Sequence, residues 1–261
     1  VWFSYETTEG EQLEVRMGVS FVSVENARLN LEAEQQGRSF DDIRAAARRS
    51  WNDDLGRIRV EGGTDAQKKV FYTGLYHALI HPNVLSDVNG EYPAMESAEI
   101  RTAEGNRYTV FSLWDTYRNL HQLMTLVYPE RQLEMVRSMI GMYKEWGWLP
   151  KWELYGRETF TMEGDPAIPV IVDTWMKGLR GFDMDAAYEA MRKSATTPGA
   201  QNRMRPDIDP YVEKGYVPLG FYARDLSGDN SVSHALEYYI ADHALSLLAD
   251  SLGRREDAAL F

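Results

Sequence analysis

The sequence contains no cysteine among its 261 residues. This absence excludes disulfide bonds, a cysteine nucleophile and metal sites built on thiolates. A run of about 18 apolar residues is also lacking, which excludes a membrane-spanning helix. Neither a glycine-rich phosphate loop nor a Gly-x-Ser-x-Gly nucleophile motif occurs, so nothing indicates a P-loop nucleotide site or an α/β-hydrolase.

Positive charge is scarce as well. The chain has 28 Lys and Arg against 40 Asp and Glu, for a formal net charge of -12 at pH 7. Such a surface repels phosphate backbones and anionic lipids, so we expect neither nucleic acid nor a membrane as a partner. The chain opens at Val1 without a signal peptide and ends inside a predicted helix that starts near Arg254. We therefore expect it to be an internal piece of a longer protein.

Two kinds of periodicity divide the chain. Apolar residues at every second position over 13–21 predict a half-buried strand, with residues 1–5 as its partner. From residue 40 onward the spacing is helical, with Ser39 and Thr64 as predicted N-caps. The predicted helices cover residues 40–58, 64–81, 115–127, 130–146, 168–178, 184–194 and 232–252. Long irregular connections are expected at 85–110 and 196–229. Helix pairs joined by long loops favour a mainly α fold of the (α/α) toroid type.

The centre of the chain is rich in aromatic and acidic side chains. Trp114, Trp146, Trp148 and Trp152 alternate with carboxylates such as Asp115. Aromatic rings accept the C–H face of a sugar and carboxylates accept its hydroxyls, so this composition fits a carbohydrate site. It fits the packing of an ordinary helical core equally well.

Several segments in order resemble the exo-acting α-mannosidases of glycoside hydrolase family 92. The segments that carry this resemblance are 111–118 (Phe-Ser-Leu-Trp-Asp-Thr-Tyr-Arg), 149–154 (Leu-Pro-Lys-Trp-Glu-Leu), 156–159 (Gly-Arg-Glu-Thr) and 164–171 (Gly-Asp-Pro-Ala-Ile-Pro-Val-Ile). Residues 18–23 and 27–31 look like the end of the N-terminal β-domain of that family, and Glu237-Tyr238 also fits.

The resemblance implies a fold that is mainly α with a small β part. It implies the last strands of an N-terminal β-sandwich over residues 1–33, a linker helix region over 34–62, and the first part of a truncated (α/α)6 catalytic domain over 63–261. It also implies removal of terminal α-linked mannose, α-1,2-linked by expectation, with inversion and with Ca²⁺ as cofactor. The partners are then a mannose-containing glycan and the remainder of the same polypeptide, in the periplasm or outside the cell.

Site residues carry over from the resemblance only where the motifs match. Trp114 and Asp115 are expected to face the terminal mannose, with Asp115 accepting sugar hydroxyls. Arg118 either orients Asp115, contacts the sugar or pairs with a helix neighbour. Trp152, Glu153 and Glu158 are expected in the pocket wall, where Glu158 has a structural alternative.

The motifs that carry the acid, the base and most calcium ligands of the family do not occur before Phe261, so we expect no catalytic residue in this chain. Two other functions stay open. One is a non-catalytic carbohydrate-binding module on the same scaffold, and the other is a different (α/α) toroid glycosidase or lyase.

Overall fold

Helices make up most of the regular structure. A computed structural model of the chain describes residues 2–220 and 230–261. The helices of these residues are α1 (Val24–Gln35), α2 (Phe40–Leu55), α3 (Asp65–Ala78), α4 (Leu113–Thr116), α5 (Leu120–Val127), α6 (Pro129–Trp146), α7 (Ala167–Met176), α8 (Met184–Thr196), α9 (Ile208–Lys214), α10 (Ser231–Ser251) and α11 (Arg255–Leu260). The prediction of a mainly α fold with a small β part is confirmed.

The strands are short and all pair antiparallel. They are β1 (Asn83–Val84), β2 (Glu91–Pro93), β3 (Ile100–Thr102), β4 (Tyr108–Thr109), β5 (Phe111–Ser112), β6 (Trp152–Leu154) and β7 (Arg157–Glu158). β1 pairs with β4, β2 pairs with β3, and β5, β6 and β7 form a three-stranded sheet in that order. Several of these strands lie within 85–110, where a purely irregular connection was predicted.

The predicted N-terminal strands are wrong for the residues that the structure describes. Residues 2–22 contain no strand, and a helix begins at Val24. The alternating apolar side chains of this segment stay in solvent, with Val15 77% exposed and Met17 74% exposed. A strand needs a neighbour for its backbone hydrogen bonds and a surface that covers its apolar face, and no described residue supplies either. Val1 lies outside the described residues.

Of the two predicted domain boundaries, one falls inside a helix and the other between two helices. α1 runs through residue 33, where the end of the β-sandwich was proposed, while residue 62 lies between α2 and α3.

The helix ends follow local signals closely. Ser39 and Thr64 are N-caps as predicted, and each also forms a capping box, with Asp42 and Gln67 respectively. Pro129 opens α6, and Gly147 ends it with a φ of 91°. A positive φ is accessible to glycine at little cost, which is why the helix stops there.

Two other expectations need correction. The helix predicted over 115–127 is broken into α4 and α5, and Asn119 between them has a φ of -157°, outside the helical region. The side chain of Gln122 donates to the carbonyl of Tyr117 and satisfies it at this break. The connection predicted over 196–229 contains α9, and its residues 221–229 lie outside the described part of the chain.

The main core lies between α6, α7, α8 and α10. Its fully buried side chains include Phe111 of β5 and Leu113 at the start of α4. Other members come from the four helices: Val136, Met139, Ile168, Ile171, Met191, Leu245 and Leu248. This core anchors the β5–α4 segment from beneath and presents the residues that follow it to the surface.

Candidate functional site

The segment from β5 through α4 leaves the core and places Asp115 at the surface. The Ser112 hydroxyl donates to the Asp115 carboxylate, and Asp115 is exposed. A cavity of about 510 Å³ opens beside it, lined by Asp115, Thr116, Asn119 and three apolar side chains, Ala78, Leu120 and Leu123. A carboxylate, a hydroxyl and an amide on an otherwise apolar wall are groups that can bind a small polyhydroxylated ligand.

Arg118 and Trp114, close to Asp115 in the sequence, stack on each other. The guanidinium of Arg118 lies 4.6 Å from the centre of the Trp114 ring and 4.9 Å from that of Tyr117. Trp114 is half-buried, and its Nε1 has no hydrogen-bond partner among the described residues, so stacking holds the ring in place.

The partner of Arg118 is Glu237 of α10. Nη2 of Arg118 donates to Oε1 of Glu237 at 2.9 Å, and the hydroxyl of Tyr117 donates to Oε2 of Glu237 at 2.6 Å. Burial, with help from Glu237, raises the pKa of Tyr117 to about 12, so the phenol stays protonated and can donate. Of the predicted roles for Arg118, orientation of Asp115 therefore has no support in this geometry.

Trp152 of β6 lies next to the segment that carries Asp115, because β6 pairs with β5. It stands opposite Ser112 in the β5–β6 pairing and is half-buried. Because Ser112 also contacts Asp115, the sheet brings Trp152 and the α4 segment to one edge although they are far apart in sequence.

Glu153 faces the interior of this sheet. It is fully buried and accepts hydrogen bonds from the Thr109 hydroxyl at 2.7 Å and from the amides of Val110 at 3.1 Å and Gly156 at 2.5 Å. Burial raises the pKa of its carboxyl. Glu153 therefore holds the hairpin together from inside the sheet.

Glu158 is bonded in a similar way. It accepts from the amide of Lys151 at 2.8 Å and from those of Trp152 and Phe160 at 2.9 Å, and it is 8% exposed. These bonds organise the turns on both sides of β6 and β7, which fits the structural alternative that the sequence left open.

The loop after β7 has an unusual backbone. Phe160 and Met162 have φ values of 57° and 67°, in a region that side-chain-bearing residues seldom adopt. Such strain persists only where the surroundings enforce it, and it is frequent at functional sites. At the end of the loop, Gly164 packs directly against Glu237.

A buried polar network supports this loop from behind, and sequence reasoning missed it. Arg205 donates to Asp165 at 3.1 Å and to Asp242 at 2.6 Å, and the ammonium of Lys151 donates to the carbonyl of Met204. Lys151 and Asp165 belong to two of the segments quoted above, which was the available signal. Arg205 carried no such signal, because its partners lie 37 and 40 residues away in the sequence.

The described residues contain neither a cluster of metal-binding side chains nor a membrane-spanning helix. In the part of the chain that the structure describes, no group of three or more His, Asp or Glu side chains lies close enough to hold a metal ion. Among these residues, Ca²⁺ would therefore find no cluster of side-chain carboxylates. Among the described helices, none is both long and apolar enough to span a bilayer.

Comparison with known proteins identifies the kind of domain. Residues 26–261 match the profile of the glycosyl hydrolase family 92 catalytic domain. The chain is similar in structure to the family GH92 alpha-mannosidase BT3965 of Bacteroides thetaiotaomicron, with a TM-score of 0.82 and 36% identity over 92% of this chain and 31% of that one.

Two further relatives agree with this match. The GH92 inverting mannosidase BT2199 of Bacteroides thetaiotaomicron VPI-5482 has a TM-score of 0.84 and 32% identity, over 92% of this chain and 32% of that one. An uncharacterized secreted glycosidase of Arthroderma benhamiae is 26% identical over 255 residues, which are 94% of this chain and 29% of that protein. The chain thus spans about a third of the length of these relatives.

Proposed function

Because the chain belongs to glycosyl hydrolase family 92, we propose that it contributes a sugar-binding wall to an exo-acting α-mannosidase. The substrate is a glycan with terminal α-linked mannose, joined by an α-1,2 linkage. The observation that carries this proposal is exposed Asp115 on a cavity of about 510 Å³, in a segment that also holds the stacked Trp114–Arg118 pair and that pairs through Ser112 with Trp152.

Each of these residues has a separate task in the proposal. Asp115 accepts hydrogen bonds from hydroxyls of the terminal mannose, and Arg118 donates to its oxygens. Trp114 and Trp152 supply flat apolar surfaces for the sugar ring. Glu153 and Glu158 keep the wall in shape from inside through the backbone bonds described above.

Hydrolysis with inversion requires two carboxyl groups that leave room for a water molecule between them and the sugar. We assign neither the acid nor the base to this chain, and we propose that both belong to the remainder of the polypeptide. Calcium assistance is part of the same proposal, with ligands that lie mostly outside the described residues. Secretion or export to the periplasm is proposed too, supported by the secreted glycosidase of Arthroderma benhamiae.

The first experiment measures release of mannose from α-1,2-mannobiose by the complete polypeptide that contains this chain, with Ca²⁺ and again with EDTA. We expect chelator-sensitive hydrolysis with inversion. The isolated chain is expected to be inactive in the same assay. Binding of the sugar without hydrolysis by the complete polypeptide would favour the carbohydrate-binding module instead.

A substitution at Asp115 tests the placement of the site. Asp115→Asn in the complete polypeptide is expected to lower kcat/KM by about 100-fold or more, because the negative charge that strengthens hydrogen bonds from sugar hydroxyls is lost and one acceptor oxygen is replaced by a donor. Thermal stability should hardly change, since Asp115 is exposed. Asp53→Asn, at an exposed carboxylate of α2, is the matched control. Wild-type kcat/KM in Asp115→Asn would show that Asp115 lies outside the pocket.

A further inference from the structure

Glu237 stands at the meeting point of three parts of the chain. From α10 it accepts hydrogen bonds from Tyr117 at 2.6 Å and Arg118 at 2.9 Å, which are 120 and 119 residues away in sequence. The third part is the strained loop that ends at Gly164. A Cβ atom added to Gly164 would lie 2.5 Å from the Cβ of Glu237, so the loop backbone rests directly on this residue.

The two charges of the Arg118–Glu237 pair differ in their access to solvent. The side chain of Glu237 is 11% exposed and that of Arg118 is 45% exposed. Glu237 is therefore the anchored member, and Arg118 extends from it toward the surface. Only Nη2 of Arg118 donates to a hydrogen-bond partner among the described residues, so its other N–H groups remain available at the proposed pocket wall.

Anchoring of this kind matters for an arginine that binds a ligand. A free arginine side chain loses considerable rotamer entropy when it becomes ordered, which weakens binding. Here the bond to Glu237 and the contact with the Trp114 ring order the guanidinium before any sugar arrives. The affinity gained from Arg118 thus depends on a residue that does not need to touch the sugar.

We propose that Glu237 is a positioning residue of the mannose site, which holds Arg118 against Trp114 so that Arg118 can bind the terminal sugar. This role rests on the proposed function, because it takes the α-mannoside as the ligand. It assigns to Glu237 an effect on substrate affinity that is transmitted through Arg118.

Steady-state kinetics of the complete polypeptide on α-1,2-mannobiose test this role. Glu237→Ala is expected to raise KM about tenfold or more, since a charge-assisted contact to the substrate becomes disordered. The change in kcat should stay within about threefold, because the contact binds ground state and transition state alike. Asp250→Asn, which removes an exposed carboxylate from the same helix, should leave both constants unchanged.

A double-mutant cycle separates positioning from simple support of the fold. If Glu237 acts through Arg118, then Glu237→Ala adds less than about twofold to the KM of Arg118→Ala. Additive effects of the two substitutions would overturn the proposal, and so would an unchanged KM in Glu237→Ala. Glu237→Gln, which keeps the shape of the side chain, serves if Glu237→Ala does not fold, and it should raise KM in the same direction.

The two proposals fail in different ways. If the wild-type polypeptide does not act on α-mannosides, the proposed function fails and the role of Glu237 fails with it. If the wild type is active and the Glu237 variants keep its KM, only the positioning role is wrong.

Discussion

At the scale of single residues, the site depends on close approaches that leave no room for larger side chains. Gly164 is the clearest case, because it combines a φ of 79° with backbone contact to Glu237. The carboxylates Glu153 and Glu158 act in a different way. Both oxygens of each carboxylate accept hydrogen bonds from groups of the same chain, and these bonds hold the wall of the site in shape.

Gly164→Ala should therefore destabilise the chain more than backbone strain alone explains. Gly178→Ala is the matched control, since Gly178 has a φ of 88° and nothing within 4 Å of an added Cβ. We expect the control to lose about 1–2 kcal/mol from the left-handed backbone. Gly164→Ala should lose about 1–3 kcal/mol more because of the overlap with Glu237. Urea unfolding followed by circular dichroism measures both, and equal losses would contradict the contact.

At the scale of elements, a buried ion cluster joins α8 and α10 to the segments around Asp165 and Arg205. Arg205 is fully buried between Asp165 and Asp242, and Asp165 also accepts from Ser194 of α8. Burial alone would lower the pKa of Arg205, but the two carboxylates outweigh it and raise that pKa. The guanidinium therefore stays charged inside the protein.

Arg205→Met is expected to lower the free energy of unfolding by about 3–5 kcal/mol, because Asp165 and Asp242 would keep their buried charges without a counter-ion. The control is Arg203→Met, which removes an exposed arginine whose guanidinium lies over the rings of Trp146 and Phe160. Its cost should stay below about 1 kcal/mol. Chemical denaturation gives both values, and a similar cost for the two variants would mean that the cluster does not stabilise these elements.

At the scale of the whole molecule, a long apolar face is left exposed by the residues that the structure describes. On α10 the exposed apolar side chains follow one side of the helix: Val232, Leu236, Tyr239, Ile240 and Leu247. Uncovered apolar surface of this kind marks a contact with another part of a protein or with another chain. The remainder of the same polypeptide is the partner that we propose for it.

The isolated chain is accordingly expected to self-associate as its concentration rises, with an average mass above 29.9 kDa in sedimentation experiments. Leu236→Lys should shift the average mass back toward the monomer, because Leu236 is 55% exposed at the middle of this face. Asn52→Lys adds the same charge at an exposed polar position of α2 and should have no effect. A concentration-independent monomer would show that this face does not drive association.

The sequence by itself determined the local features of this protein. The N-caps at Ser39 and Thr64 and the end of α6 after Trp146 were predicted, because each depends on residues within one helical turn. The mainly α class followed from the same local signals. The resemblance to family 92 followed from short ordered motifs, which need no structure to be recognised.

Only the tertiary structure decided how those motifs are used. Arg118 pairs with Glu237, 119 residues away in the sequence, and the burial of Glu153 depends on the pairing of β6 with β5. The alternating apolar residues near the N-terminus are an example of the opposite kind. Their pattern predicts a strand, but residues 2–22 form none, because a strand needs a neighbouring strand to pair with. Periodicity and caps report on neighbours in sequence, whereas ion pairs, strand pairing and close packing depend on which distant segments meet in space.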